Sequence, residues 1–566
     1  MTDRSSVGRR QILKSAGVAA AAGAAPWTVA DPALAATREY DQRLAAQSTS
    51  YQAPRGLAED SDAKATALGW IGDHSAELID LNDTVWRHAE LSLREWNSSL
   101  AVAALLEKYG FDIQWGPAGF PSAFVASYGS GGPTIGFNAE YDALPGLSQK
   151  AGGTVHDPLV YHTDPYAPTY GAGHGDAHNA LGAGATGAAI AVSQAIRDRG
   201  LKATVKLFGT TAEEHLVGKP YMVRAGVYDG LDAFVDWHPF NANLAFWNTT
   251  SALISATFDF LGATGHGANP LGNKSGLDGA VLMATMSEFL REKNVAPSGR
   301  FHYAIVNGGG APNVTPDFCS IWFFVREGSP ERVKVLYDKI VDAAKAAAQA
   351  SRTTLVHRFN SGTWNLLPNK AGAELMNDNM RAIGPPAFTD ADQALARSLQ
   401  RSLGKPETGM PTSLVPLAPP PPAFAGGISI DTADVSWQAP TLVALAATIP
   451  AGLPNHSWAV TSAAATNIGH QGMLSAARYM AATAVDLITQ PDQLSRIRAE
   501  FEDRRKAVDW ATMIPEGTQQ PLVEPPAGFL KQTGQTWPPK GVSWPEKEII
   551  STEPLGTTGP DLPPVT

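Results

Sequence analysis

The chain has 566 residues, a net charge of −11 from 43 basic and 54 acidic side chains, and one cysteine, Cys319. Its 44% apolar content excludes a disordered chain, and the acidic balance excludes a dedicated nucleic-acid binder, which needs a basic surplus to neutralise phosphates. A lone cysteine excludes a disulfide framework, a four-cysteine zinc site and an iron–sulfur cluster.

Arg4, Arg9 and Arg10 precede a mildly apolar, alanine-rich stretch from Ser15 to Ala30, and Ala33-Leu34-Ala35 follows as a small-x-small cleavage pattern. Residues 1–35 thus resemble a twin-arginine signal peptide, which implies export to the periplasm or beyond. Pro26, Asp31 and Pro32 interrupt the apolar run well short of a membrane span, which needs about 20 residues. Residues 36–69 read as a polar N-terminal arm. Helical periodicity predicts helices over Ile71–His88 and Leu100–Tyr109. Strands are predicted at Ala123–Tyr128, Thr134–Phe137, Thr204–Phe208 and Val235–His238, with a small-residue helix from about Ala180 to Arg197. This alternation predicts an α/β layer architecture.

Residues 250–369 have a different texture. Ser255–Leu261, Leu277–Lys293, Phe301–Val306, Ser320–Arg326, Glu331–Ala350 and Thr353–Phe359 read in the order β-α-β-β-α-β, a ferredoxin-like α+β domain inserted into the larger one. Proline-rich loop material follows, and a helix over Met473–Thr489 returns to the first domain. Residues 496–566 read as a C-terminal extension, either wrapping or partly disordered. There is no internal repeat.

Four polar clusters stand at the ends of apolar segments. Gly171-Ala172-Gly173-His174-Gly175-Asp176-Ala177-His178-Asn179 opens the small-residue helix, and its glycines are expected to fold the backbone so that Asp176 and His178 converge as a metal-ligand pair. A plain glycine-rich turn is the other reading. Thr211-Ala212-Glu213-Glu214 follows an apolar strand. Adjacent carboxylates there repel unless a cation or proton intervenes, so a metal ligand beside a general base is one resolution and a solvated acidic turn the other. Asp236-Trp237-His238-Pro239 and His456-Ser457-Trp458 complete the set. Open α/β sheets place their sites at this edge.

With Asn138-Ala139-Glu140-Tyr141-Asp142-Ala143-Leu144-Pro145, these clusters occur in the order found in a known family. The chain resembles the metallopeptidase/amidohydrolase family of carboxypeptidase G, aminoacylase and the indole-3-acetyl-amino-acid hydrolases. Ala433-Asp434-Val435-Ser436-Trp437 and Asn455-His456-Ser457-Trp458 favour the p-aminobenzoyl-glutamate hydrolase type of branch. In the insertion, Gly265-His266-Gly267-Ala268-Asn269-Pro270 and the stretch from Gly308-Gly309-Gly310 through Asn313 to Arg326 follow the same pattern. The resemblance spans roughly residues 70–490.

That resemblance implies a catalytic metal-binding domain over 70–249 and 370–495, a mixed sheet flanked by helices, with the insertion as a dimerisation or lid domain. It implies one or two divalent ions (zinc, manganese or cobalt) held by Asp176, His178, Glu214, His238 and His456, with Glu213 as general base. His266, Asn313 and Arg326 would bind the substrate carboxylate or the developing oxyanion, the histidine from a partner subunit in a homodimer. The expected reaction is hydrolysis of a small-molecule amide or peptide to an acid and an amine. Asp176 stands where this branch usually has cysteine, which leaves an oxygen/nitrogen donor set. A dipeptidase of the same family and a non-catalytic binding protein are the alternatives. A serine hydrolase is disfavoured because no Gly-x-Ser-x-Gly elbow occurs.

Overall fold

The computed structural model describes residues 58–163, 168–417 and 427–539, with a two-residue strand at Glu548–Ile549. The signal-peptide reading and most of the arm lie outside these residues. The strands, in chain order, are β1 (Asp112–Trp115), β2 (Phe124–Gly129), β3 (Thr134–Glu140), β4 (Tyr161–His162), β5 (Thr169–Tyr170), β6 (Thr204–Thr210), β7 (Ala233–Phe240), β8 (Leu244–Phe246), β9 (Ala252–Leu261), β10 (Arg300–Asn307), β11 (Phe318–Glu327), β12 (Thr354–Thr363) and β13 (Thr441–Ala447).

The large sheet has the order β1-β2-β6-β3-β7-β13-β8. Its centre, β6-β3-β7-β13, is parallel, and its margins are antiparallel. Parallel strands covered on both faces are apolar throughout, as in the fully buried Thr441–Ala447. The helices His178–Arg199 and Asn467–Thr489 supply cover and are themselves buried over most of their length. The small residues of the first let it approach β3. A Cβ on Gly182 would stand 2.6 Å from the Glu140 carbonyl oxygen, so a side chain there would push the helix off the sheet.

The second sheet has the order β10-β11-β9-β12 and then the short strand Glu548–Ile549, all antiparallel, with the helices Gly276–Glu288 and Pro330–Ser351 packed on it around Phe258, Phe323, Met283 and Ile340. This is the ferredoxin-like insertion. Leu261 pairs with Phe318 at one end of the β9-β11 ladder, and Leu253 pairs with Arg326 at the other.

Several boundaries differ from the sequence reading. The segment assigned to the arm becomes helical at Asp62, where Ser61 caps Asp62–Asp73, and Lys64 is buried with Nζ on Asn379 and Asp486. A lysine with distant partners reads locally as a surface residue. The chain breaks at His74 before the next helix, Ser75–His88. The helix expected over Leu277–Lys293 divides at Phe289. The helix Pro491–Lys506 runs across the boundary placed at 495, and Met513, Ile514 and Phe529 beyond it are buried. Among the described residues, no helix is long and apolar enough to cross a membrane.

In the second sheet, His357 stacks on Phe258 with ring centroids 4.8 Å apart, and its Nε2 accepts from the Tyr337 hydroxyl. Burial pushes its ring down to about 4, from about 6.5 in an unfolded chain. The unfolded state therefore takes up the proton first as pH falls. The stability His357 contributes is fully present above about 6.5 and is lost as pH falls through about 4, on the order of 3 kcal/mol. His357→Gln, which keeps an acceptor for Tyr337, is expected to flatten the fall in unfolding free energy between pH 7 and 4. Urea titrations at stepped pH check this, and an unchanged slope counts against it.

Candidate metal centre

The carboxyl ends of the central strands and two loops converge. Glu140 ends β3, Glu213 and Glu214 follow β6, and His238 lies near the end of β7. Asp176 precedes the helix His178–Arg199, and His456 precedes the helix Trp458–Ala464. The turns are built by left-handed residues that are not glycine: Ala177 (φ 58°), Ala212 (φ 56°) and His456 itself (φ 55°). Such conformations cost energy and cluster at functional sites. The expectation that glycines supply this turn is corrected. Ala177, left-handed between them, directs Asp176 into one donor group and His178 into the other, while the glycines provide room. A Cβ on Gly173 would lie 2.1 Å from the Leu147 carbonyl oxygen.

Two donor groups result: Glu140, His178 and His238, and Asp176, Glu214 and His456. His456 Nε2 is 3.3 Å from Asp176 Oδ2 and 3.5 Å from Glu214 Oε2. His178 Nε2 is 3.4 Å from Glu140 Oε2. Asp176 Oδ2 also lies 3.8 Å from His238 Nε2, which joins the groups, and Glu213 Oε2 lies 3.8 Å from His178 Nε2. A tetrahedral ion with bonds of about 2.0–2.1 Å keeps its ligand atoms about 3.4 Å apart. Glu140 Oε2 and His178 Nε2 are buried without a hydrogen-bond partner. Spacing, donor type and orphaned lone pairs all fit divalent cations.

The histidine tautomers are set from outside. His178 Nδ1 donates to Asp142 Oδ1 at 2.9 Å, and Asp142 Oδ2 accepts from Ser92 Oγ and the Glu214 backbone N–H. His238 Nδ1 donates to the Pro239 carbonyl at 2.8 Å. Each ring thereby presents its Nε2 to the donor groups, as in histidines that bind metal through one nitrogen and are oriented by an oxygen at the other. Burial alone would raise Asp142, but the His178 hydrogen bond and charge hold it down at about 2. Burial pushes Glu214 up to about 8 against the pull of His456 and His178. Burial, then the Glu140 and Asp431 carboxylates, hold Glu213 well above the ordinary range. Carboxylates crowded in this way retain protons unless a cation replaces them.

Arg326, at the end of β11, is largely buried. Burial and Arg300 lower its pKa, while the facing Glu213 and Glu214 carboxylates oppose that shift, and its Nε has no partner. His266 and Asn313 are elsewhere. They sit together in exposed loops, where Gly267 N–H donates to the Asn313 carbonyl at 2.9 Å. These loops lie beyond the Leu261–Phe318 end of the ladder, so eight residues of β11, about 26 Å, separate them from Arg326. The structure therefore gathers Asp176, His178, Glu213, Glu214, His238 and His456, leaves Arg326 within electrostatic influence of the two glutamates, and puts His266 and Asn313 beyond the opposite end of β11 from Arg326.

The sequence reading assigned no role to Glu140, Asp142, Lys219 or Asp431. An acidic residue closing an otherwise apolar strand was the available signal for Glu140. Lys219 Nζ, fully buried, donates to Glu140 Oε1 at 2.6 Å and Asp431 Oδ1 at 2.5 Å.

Residues 248–352 match a family model described as a peptidase dimerisation domain (M20_dimer). The chain is 34% identical over 473 residues to a p-aminobenzoyl-glutamate hydrolase subunit of Escherichia coli (strain K12), covering 78% of this chain and 96% of that protein. It is 26% identical over 467 residues to Xaa-Arg dipeptidase of Mus musculus, covering 79% and 95%. Among solved structures, a dinuclear metal binding peptidase from the M20 family of Bacillus subtilis aligns over 74% of this chain and 99% of that one, with 18% identity and a TM-score of 0.44.

Proposed function

We propose that this chain, which belongs to the M20 peptidase family, is an exported, metal-dependent homodimeric hydrolase that cleaves the amide bond of N-acyl or aminoacyl amino-acid conjugates. The observation that carries this reading is the meeting of six ligand-type side chains from separate segments, spaced for cations, with a second carboxylate adjoining a ligand carboxylate. His178 and His238 would hold one ion, Glu214 and His456 the other, and Asp176 would be shared. The oxygen/nitrogen donors suit zinc, manganese or cobalt. When bound, two such cations polarise the scissile carbonyl and make water a better nucleophile near neutral pH.

Glu213 takes the proton of the attacking water on its carboxylate and returns it to the leaving nitrogen as the C–N bond breaks. Its raised proton affinity suits it to hold that proton between the two transfers. Arg326 offers a planar fork to a substrate carboxylate through two charge-assisted hydrogen bonds. By their names, the relatives act on p-aminobenzoyl-glutamate and on Xaa-Arg dipeptides, two substrates that share a carboxylate near an amide. His266 of the partner subunit, with Asn313 of the partner subunit, would stabilise the oxyanion, because neither residue reaches its own chain's centre. The edge strand β10 leaves Ile305 and Val306 exposed, an edge suited to pairing with a second copy.

The test uses chain recovered from the periplasmic or external fraction, where twin-arginine export would deliver it. N-acyl amino acids and dipeptides are screened before chelation, after it, and after metal is added back. Chelation is expected to abolish hydrolysis, and zinc, manganese or cobalt to restore it. Undiminished hydrolysis by metal-free protein overturns the reading.

A further inference from the structure

We infer that Glu140 is an additional metal ligand, beside His178 and His238, and that Lys219 with Asp431 forms a positioning pair that turns its free oxygen toward the ion. The inference rests on the two-cation reading above and extends its donor set.

The two oxygens of Glu140 are treated differently by the protein. Oε1 accepts from Lys219 Nζ at 2.6 Å and from Asn138 Nδ2 at 2.7 Å. Oε2 accepts from nothing, although Glu140 is only 3% exposed. It faces His178 Nε2 at 3.4 Å, and that nitrogen is also buried and without a partner. With His178 Nδ1 committed to Asp142, a neutral ring, the form that binds a metal ion, turns its Nε2 lone pair toward Glu140 Oε2. Such an arrangement is unfavourable unless a cation lies between them. The 3.4 Å separation equals that of two ligand atoms on a tetrahedral zinc ion, about 3.4 Å.

The competing explanation makes Glu140 merely the counter-ion of Lys219. The geometry argues against it, because Lys219 is shared between two carboxylates and its single charge cannot neutralise both. Asp431 accepts from Lys219 Nζ through Oδ1 and from the Lys219 backbone N–H through Oδ2, at 2.5 and 3.1 Å. One lysine charge between Glu140 and Asp431 leaves a net negative charge for another cation. Asn138 is held in turn, since its amide also reaches Asp236 Oδ1 at 3.2 Å. Glu140 is thus gripped by one oxygen and presented by the other. A carboxylate here adds a hard donor to a pocket otherwise supplied by two imidazoles and a shared Asp176.

The experiment measures metal per chain by mass spectrometry after dialysis against a weak chelator, together with the visible spectrum of the cobalt(II)-loaded protein. The wild type is expected to retain two ions. Glu140→Gln keeps an acceptor for Lys219 but removes the charge. It is expected to weaken one of the two ions by at least about tenfold and to change the cobalt bands. Lys219→Met is expected to change the same bands, with no further change when combined with Glu140→Gln. Where Lys219→Met fails to fold, Asp431→Asn serves in its place. Two ions at wild-type affinity with an unaltered cobalt spectrum in Glu140→Gln overturn the ligand assignment and leave the two-cation reading intact. A wild type that binds no ion overturns both. Lower thermal stability in the Lys219 or Asp431 variant with unaltered cobalt bands overturns the positioning role.

Discussion

Glu213→Gln is expected to slow amide hydrolysis by about 10²–10⁴-fold, the range for loss of a general acid–base group, while leaving bound metal unchanged. Glutamine has the shape of the carboxylate but cannot accept and return a proton. The backbone that aims the side chain, left-handed at Ala212, is unaffected. Glu213 is 6% exposed, and His178 Nε2 lies 3.8 Å away, beyond hydrogen-bond reach. For Glu213, burial and the repulsion of the Glu140 and Asp431 carboxylates outweigh the attraction of His178. Removing its charge should therefore leave the melting temperature level or raise it, the mark of a residue kept for chemistry at a cost in stability. Steady-state kinetics, metal analysis and calorimetry on one preparation check all three parts. Turnover at the wild-type rate would remove Glu213 from the mechanism.

The α/β layers and the ferredoxin-like insertion were legible because their apolar runs carry clean periods, as in Ser255–Leu261 and Glu331–Ala350. The candidate ligands were legible because each stands in a polar cluster that interrupts such a run. β13 was not, since Thr441–Ala447 is buried on both faces and has no alternation to distinguish strand from helix. Lys219 and Lys64 escaped for a different reason. A lysine is read as solvated unless its partners are visible, and theirs are remote in sequence: Asp431 for Lys219 and Asp486 for Lys64. Asp142 was quoted within a motif, but its role depends on a contact with His178 that local pattern does not encode. The turn at Ala177 illustrates the limit from the other side. Glycine marked the place correctly, yet the left-handed residue is the alanine between the two candidate ligands.

Mixing two inactive variants is expected to restore activity when the broken parts belong to different subunits of one site. His266→Ala alone is expected to lose about 10²–10³-fold in turnover, as for removal of an oxyanion donor. When Glu213→Gln chains and His266→Ala chains re-associate at random, half of the dimers are mixed. In each mixed dimer, the site built on the His266→Ala chain has an intact Glu213 and receives His266 from its partner, while the other site lacks both. A two-fold dimer therefore regains about one quarter of wild-type activity. If His266 served its own chain's centre, mixing would restore nothing, because every site would keep its defect. The length of β11 makes the first outcome the expected one, since His266 and Asn313 lie beyond its Phe318 end and Arg326 stands at the other. The same geometry supplies the control. Asn313→Ala should complement Glu213→Gln as His266→Ala does. Arg326→Ala should not, because Arg326 lies within electrostatic influence of Glu213 in the same chain, and no exchange of subunits can reunite an intact pair.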